Sequence, residues 1–391
     1  MDDAKAGAAA ARDHALGALT GLALGDALGM PTQSMSPQDI ARAYGKDGVR
    51  GFVDACADQP VAPGMRAGSV TDDTEQALLL ARELVRGHGH VDVRRYAREL
   101  TDWEARMKAK GSLDLLGPST RRALDALRRG IDPDLTGVTG TTNGGAMRAT
   151  PLGVAFAPGP ALVRAAHDSC VVTHNTPQGH ESTLLVALAV SLGIERAAGA
   201  ALAGKVLAPG VAGMHTVLRG ALRRLEALGA SDPAGFGHWS PRASVAVRVA
   251  RALDRAFAWR DPLYGGDGND EEAFSGWLRG EVGVSVEANE SVAAACAVAV
   301  WFADRPFDGL LFAANLGGDT DTIAAMAGAM LGATWGMAAW PADAVSTVER
   351  VNGLDLAGEA DRLMALRGDG GDGDGAFASD GRSGETGEAR S

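Results

Sequence analysis

The sequence predicts an all-α fold, a single compact helical domain, and three observations carry that prediction. Apolar residues recur at helical spacing through most of the chain. No stretch of any length shows the apolar–polar alternation that a half-buried strand needs. The composition is 46% hydrophobic but only 5% aromatic, with 53 Gly, which favours small side chains on closely packed helices over an aromatic-rich sheet. At 391 residues the chain can form one large domain, expected over 1–366. Residues 367–391 are Gly, Asp and Ser with almost no apolar side chains, and are expected to be a disordered tail.

Taken in order, residues 14–29 are apolar and Gly/Ala-rich and close in a Gly25-Asp26-Ala27-Leu28-Gly29 turn before Pro31. Pro37, Pro60 and Pro63 mark 36–68 as loop-rich. A helix begins near Thr71, with Ala77, Leu80 and Leu84 on its buried stripe. Helical patterns with charged faces return at 93–108 and 119–129. The Gly-, Thr- and Asn-rich stretch 136–153 reads as an ordered loop. Further helices are expected at 179–197, in amphipathic segments up to 229, at 243–258, at 287–303 and at 320–332. An irregular acidic, Gly-rich loop is expected at 260–284.

Charge and cysteine usage narrow the classes of function. A net charge of −12 disfavours nucleic acid and acidic lipid as partners, because nonspecific binding to either needs clustered Lys and Arg. Cys56, Cys170 and Cys296 are far apart and odd in number, offering neither a metal-type spacing nor a disulfide framework; a reducing cytoplasm is the simplest expectation. Asp2, Asp3 and Asp13 stand where a secretory signal would need a basic start and an apolar run. The apolar runs 184–194 and 292–303 are too short to cross a bilayer and read as core helices, so no membrane is expected.

Two acidic motifs carry chemistry. Thr71-Asp72-Asp73-Thr74 opens a helix. One Asp there would be an ordinary N-cap, favoured by the helix dipole. Two adjacent carboxylates repel unless a cation lies between them. Gly317-Gly318-Asp319-Thr320-Asp321-Thr322 opens an almost wholly apolar helix, where ionised carboxylates are costly unless compensated. Together the motifs offer four carboxylates, hydroxyls and no sulfur, a hard-oxygen set suited to Mg²⁺, Mn²⁺ or Ca²⁺. Between them lies Thr142-Asn143-Gly144-Gly145-Ala146-Met147-Arg148, whose successive N–H groups could form an anion-binding nest. His174 precedes a helix, and Asp26 reads first as a residue that ties down its own turn.

These motifs, in this order, resemble the ADP-ribosylglycohydrolase family, which includes the dinitrogenase reductase-activating glycohydrolases. The resemblance rests on GLALGDALG at 21–29, TDDT at 71–74, NGGAMR at 143–148, TH at 173–174 and GGDTDTIAAMAGA at 317–329. It implies an all-α domain around a central pair of Mg²⁺ or Mn²⁺ ions, with Thr71, Asp72, Asp73, Asp319, Asp321 and Thr322 as ligands. It further implies that Asn143, Gly144, Gly145, Ala146 and Met147 hold the diphosphate of ADP-ribose and that His174 lines the ribose end. The implied reaction cleaves an N- or O-glycosidic bond of an ADP-ribosylated protein or small molecule and releases ADP-ribose, with Asp73 a candidate to accept the water's proton.

One position departs from the family pattern. Many active relatives carry a glutamate seven residues after the aspartate of the GDALG-type motif; here that residue is Gln33. An amide exchanges no proton near neutrality and cannot be the general acid or base. Three readings follow: turnover through Asp73 or a better leaving group, ADP-ribose binding without turnover, or hydrolysis of another nucleoside or phosphoester substrate.

Overall fold

A computed structural model describes residues 2–109, 116–205, 207, 210–228, 244–260 and 270–369. Eighteen α-helices lie in them. The first six are α1 (Asp2–Gly29), α2 (Pro37–Tyr44), α3 (Asp72–Arg86), α4 (Val93–Ala109), α5 (Pro118–Arg128) and α6 (Pro133–Thr136). The next six are α7 (Gly144–Met147), α8 (Thr150–Ala155), α9 (Pro160–His174), α10 (Pro177–Leu202), α11 (Val211–Ala227) and α12 (Val245–Arg260). The last six are α13 (Glu271–Trp277), α14 (Ala288–Trp301), α15 (Pro306–Ala314), α16 (Thr320–Trp335), α17 (Ala342–Asn352) and α18 (Leu356–Asp369). Among the described residues the only extended pairings are two isolated bridges, Met35 with Gly318 and Thr142 with Glu287. The fold is all-α, as the pattern predicts.

The centre of the fold is an antiparallel pair, α1 and α16, that touches backbone to backbone. Gly17, Gly21, Gly25 and Gly29 recur every fourth residue and therefore share one face of α1. A Cβ on Gly21 would stand 2.2 Å from Gly328 O, and one on Gly25 would stand 2.1 Å from Ala324 O. A Cβ on Gly29 would stand 2.4 Å from the Asp321 Cα. The small residues of α16 answer this face, and α10 and α15 close around the pair. Gly25→Ala is therefore expected to cost about 3 kcal/mol or more, because a carbonyl has to move to admit the methyl. Gly199→Ala, in α10 with nothing within 4 Å of the added Cβ, is expected to gain about 0.5–1 kcal/mol. Thermal melting of the two variants checks both signs.

The structure corrects four local expectations. The GDALG segment is the end of α1 and no turn. Residues 36–68 contain α2, capped by the Ser36 hydroxyl on the Asp39 N–H at 3.1 Å. Residues 136–153, read as loop, hold α7 and α8. The stretch 260–284, read as irregular, contains α13 and a π-helical turn at Leu278–Val282; Phe274 anchors it by stacking on Trp301 at 4.0 Å. Residues 261–269 lie outside the described residues, as do 370–391 of the expected tail 367–391, whose residues 367–369 complete α18. The last described helix, α18, is pinned by Arg367, whose guanidinium donates to the carbonyls of Gly153, Phe156 and Ser191.

At 26 residues α10 is long and apolar enough to cross a membrane by length and composition, which the run 184–194 alone is not. It is packed against α1, α8, α9, α11 and α16, and 61% of its most apolar window is buried, so it serves as a core helix.

Candidate active site

The antiparallel pairing sets the site. It brings the C-terminal end of α1 alongside the N-terminal end of α16, so Asp26 meets the Asp319–Thr322 motif. α3 starts at the same place. Ligand oxygens of Asp26, Asp73 and Asp321, all buried, lie within 4.8 Å of one another.

Asp26 organises this cluster. Its carboxylate accepts the Thr71 N–H at 2.9 Å, the Thr71 hydroxyl at 2.8 Å, the Thr74 N–H at 3.1 Å and the Thr74 hydroxyl at 2.6 Å. It therefore caps α3 from outside and fixes the direction in which Asp72 and Asp73 project. The Thr71 hydroxyl caps α3 as well, accepting from the Asp73 N–H at 3.4 Å, so the capping role and the acidic role coexist. Three of the remaining acids have a side-chain donor of their own. Gln76 donates to Asp72 at 3.0 Å, Asn143 donates to Asp319 at 2.5 Å, and the Thr322 hydroxyl donates to Asp73 at 3.3 Å.

Electrostatically the cluster is out of balance. Burial, followed by the charge of Asp321, drives the Asp73 carboxyl well above its ordinary range. Asp72 is raised by burial and then by Asp26 and Asp319, and Asp321 by burial and then by Asp319 and Asp26. Burial pushes Asp26 and Asp319 up to about 6, against the pull of their hydrogen-bond donors. Oδ1 of Asp73 and Oδ1 of Asp321 are buried and have no hydrogen-bond partner. Orphaned carboxylate oxygens in a dry acidic cluster are what a bound cation satisfies. The donor set thus fits hard divalent cations. Asp26, with both oxygens already engaged, is better suited to positioning than to ligation.

The 143–147 segment and His174 sit behind this cluster. A right-handed helical turn replaces the expected nest, since no residue from 143 to 148 has positive φ. Its glycines serve packing: a Cβ on Gly144 would meet His174 Cε1 at 2.6 Å, and one on Gly145 would meet Thr183 Oγ1 at 2.3 Å. Ala146 and Met147 are buried beside them. His174 is fully buried, with Thr142 Oγ1 3.0 Å from Nε2 and Thr173 Oγ1 2.8 Å from Nδ1. Burial and the charges of Arg148 and Arg122 hold its pKa well below the usual histidine value, so the ring is neutral and supports the turn. Fully buried Arg148 donates to Gln76 Oε1 at 2.9 Å and to Thr173 Oγ1 at 2.6 Å. A continuous polar chain thus links Asp72 through Gln76, Arg148 and Thr173 to His174.

Gln33 is buried next to the strand-like pairing of 34–35 with Gly318, where the Ser34 N–H donates to the Gly318 carbonyl at 2.7 Å. Gln33 Nε2 is buried and has no partner.

A family model for ADP-ribosylglycohydrolases matches residues 8–372. The chain belongs to the ADP-ribosylglycohydrolase family. It is 31% identical over 356 residues to the uncharacterised protein YegU of Escherichia coli, covering 91% of this chain and 97% of that one. To the ADP-ribosylarginine hydrolase Tri1 of Pseudomonas putida it is 29% identical over 376 residues, 91% of this chain and 82% of the relative. A solved ADP-ribosylglycohydrolase-related protein complex superposes with a TM-score of 0.58 at 25% identity, covering 91% of this chain and 98% of that one. The chain is accordingly an ADP-ribosylglycohydrolase-type hydrolase. Three of its site residues were not singled out as such from sequence: Asp26 as an organiser of the acids, Gln76, and the buried Arg148 as a brace. The one signal for Asp26 was an acid placed near the end of an otherwise apolar run.

Proposed function

We propose that this hydrolase cleaves the glycosidic bond between ADP-ribose and an N- or O-linked acceptor, with two Mg²⁺ or Mn²⁺ ions held by Thr71, Asp72, Asp73, Asp319, Asp321 and Thr322. The observation that carries this reading is the pair of orphaned, buried carboxylate oxygens on Asp73 and Asp321, inside a chain whose family hydrolyses such bonds. When bound, the cations would polarise the ribose hydroxyls and the attacking water. The protein does the rest. Asp26, Gln76 and Asn143 hold the acids in place, and outer partners of this kind set ligand orientation. Asp73, whose Oδ1 is buried without a hydrogen-bond partner, would be ionised beside a bound cation and could then take the proton that the water loses. The turn at 143–147 would face the diphosphate, with His174 bracing it from behind.

The test is release of ADP-ribose from arginine-, serine- and carboxylate-linked substrates with Mg²⁺ or Mn²⁺, repeated in EDTA. Metal-dependent release is expected; release undiminished after complete metal removal would overturn the metal assignment. Gln33→Glu is expected to raise turnover on linkages whose leaving group needs a proton, by about 10²–10⁴-fold, the usual worth of general acid–base catalysis. Carboxylate-linked substrates, whose leaving group departs as a stable anion, should gain little. ADP-ribose binding without release by either protein would favour a binding role, a reading that Gln33 motivates. Metal-dependent release from phosphate esters would point to a different substrate.

A further inference from the structure

Beside the acidic cluster the surface changes sign. Two adjoining cavities, each of about 460 Å³, share Arg248 and Glu281. The first reaches Gly318, the residue before Asp319, and the second ends against Trp277. Arg248, Arg251 and Arg255 line them from α12, and Arg279 lines them from the π-helical turn. Spacings of three and four place the α12 arginines on one helix face, where like charges repel. Against these four cations the lining offers two acids, Glu281 and Glu290. Asp254, also on α12, is taken up by Arg219 and His215 on the α11 side.

Three of these four cations are available. Arg248 is engaged, 3.7 Å from Glu290 and donating to the Val282 carbonyl at 2.7 Å. Arg251, Arg255 and Arg279 are exposed, and among the described residues none has a carboxylate within salt-bridge distance. Arg255 lies over the Trp259 ring at 4.6 Å, and Arg279 contacts the Ser275 hydroxyl. A groove with more cations than acids, on a chain of net charge −12, runs against the bulk charge and borders Gly318, next to Asp319 of the acid site. We propose that this groove takes an acidic segment of the ADP-ribosylated protein, seating it while the glycosidic bond lies over the acids. The proposal rests on the ADP-ribosyl hydrolase reading above. Arginines suit a peptide's carboxylates because the guanidinium fork matches them bidentately.

The test is fluorescence anisotropy on the full chain, using a labelled Glu-rich peptide that carries no ADP-ribose and a Lys-rich peptide of equal length. The Glu-rich peptide is expected to bind and to weaken as salt rises, because exposed charges are screened, while the Lys-rich one does not bind. Arg251→Glu combined with Arg255→Glu should weaken binding by about tenfold or more, as reversing rim charges does for steered complexes. Saturating ADP-ribose should leave the peptide Kd within roughly twofold, since the peptide sits beyond the nucleotide. No binding, salt-independent binding, or binding unchanged in the double variant overturns the proposal. Competitive displacement by ADP-ribose also overturns it, assigning the groove to the nucleotide. The salt series on the unaltered protein decides the matter even if the variant does not fold. No hydrolysis is measured, so a failure here is distinct from failure of the hydrolase reading, which ADP-ribose release tests alone.

Discussion

Stripping divalent cations from this protein should lower its melting temperature, and the loss should grow as pH rises. Asp26 and Asp319 stand at about 6 in the fold against an ordinary 3.8, and burial raises Asp72, Asp73 and Asp321 well above it as well. A carboxyl whose folded pKa lies above its unfolded value binds protons more tightly in the folded state. Its folded form is therefore penalised progressively from about pH 4 upward, fully once pH exceeds the folded pKa. For Asp26 or Asp319 taken singly the penalty is on the order of 3 kcal/mol at neutral pH. The metal-free protein should thus be more stable near pH 5 than near pH 8. Cation binding opposes this trend, because protons and metal compete for the same oxygens and affinity rises with pH. A hundredfold excess of Mn²⁺ over its Kd adds about 2.7 kcal/mol. Melting curves in EDTA and in Mn²⁺ across this range check the pattern; parallel curves would mean that the acids are not where the cation binds.

Asp321→Asn should separate stability from activity. The substitution keeps volume but removes one charge from a group of mutually repelling, buried carboxylates. The metal-free protein is expected to gain about 2 kcal/mol, to lose the Mn²⁺-induced shift, and to lose ADP-ribose release by about 10³-fold or more. Asp26→Asn should do the opposite to the fold. Its carboxylate accepts from two N–H groups and two hydroxyls, and an amide nitrogen would face donors that it cannot satisfy. A loss of about 2–4 kcal/mol is expected. Differential scanning calorimetry of both variants, beside an activity assay, distinguishes a ligand from its support. Equal destabilisation of the two would contradict the division of roles.

The acids of TDDT and GGDTDT were legible in sequence because adjacent carboxylates at the mouth of an apolar helix have few purely structural explanations. Asp26 was not, because its partners Thr71 and Thr74 lie 45 and 48 residues away and only the packing of α1 against the start of α3 brings them together. The helical turns within 144–155 were missed for a related reason. Gly, Thr and Pro have weak local helix preference, and tertiary contacts to His174 and Thr183 impose the conformation instead. The π-helical turn at Leu278–Val282 likewise depends on aromatic packing that no local pattern encodes. The fold class was plain because it rests on the sum of many periodic segments, which one misread loop does not change.

The glycine face of α1 has a consequence for how the site behaves when warmed. Between Gly25 and Ala324, or Gly29 and Asp321, there is no room for a side chain, so no side chain in the seam can repack to change the distance between the backbones that carry Asp26 and Asp321. Two halves of the active site are joined like a welded seam. Such a joint does not loosen by degrees: it either stays shut or parts along its length. The acids should therefore keep their spacing up to the temperature at which the whole domain melts, without a softened intermediate that is folded but inactive.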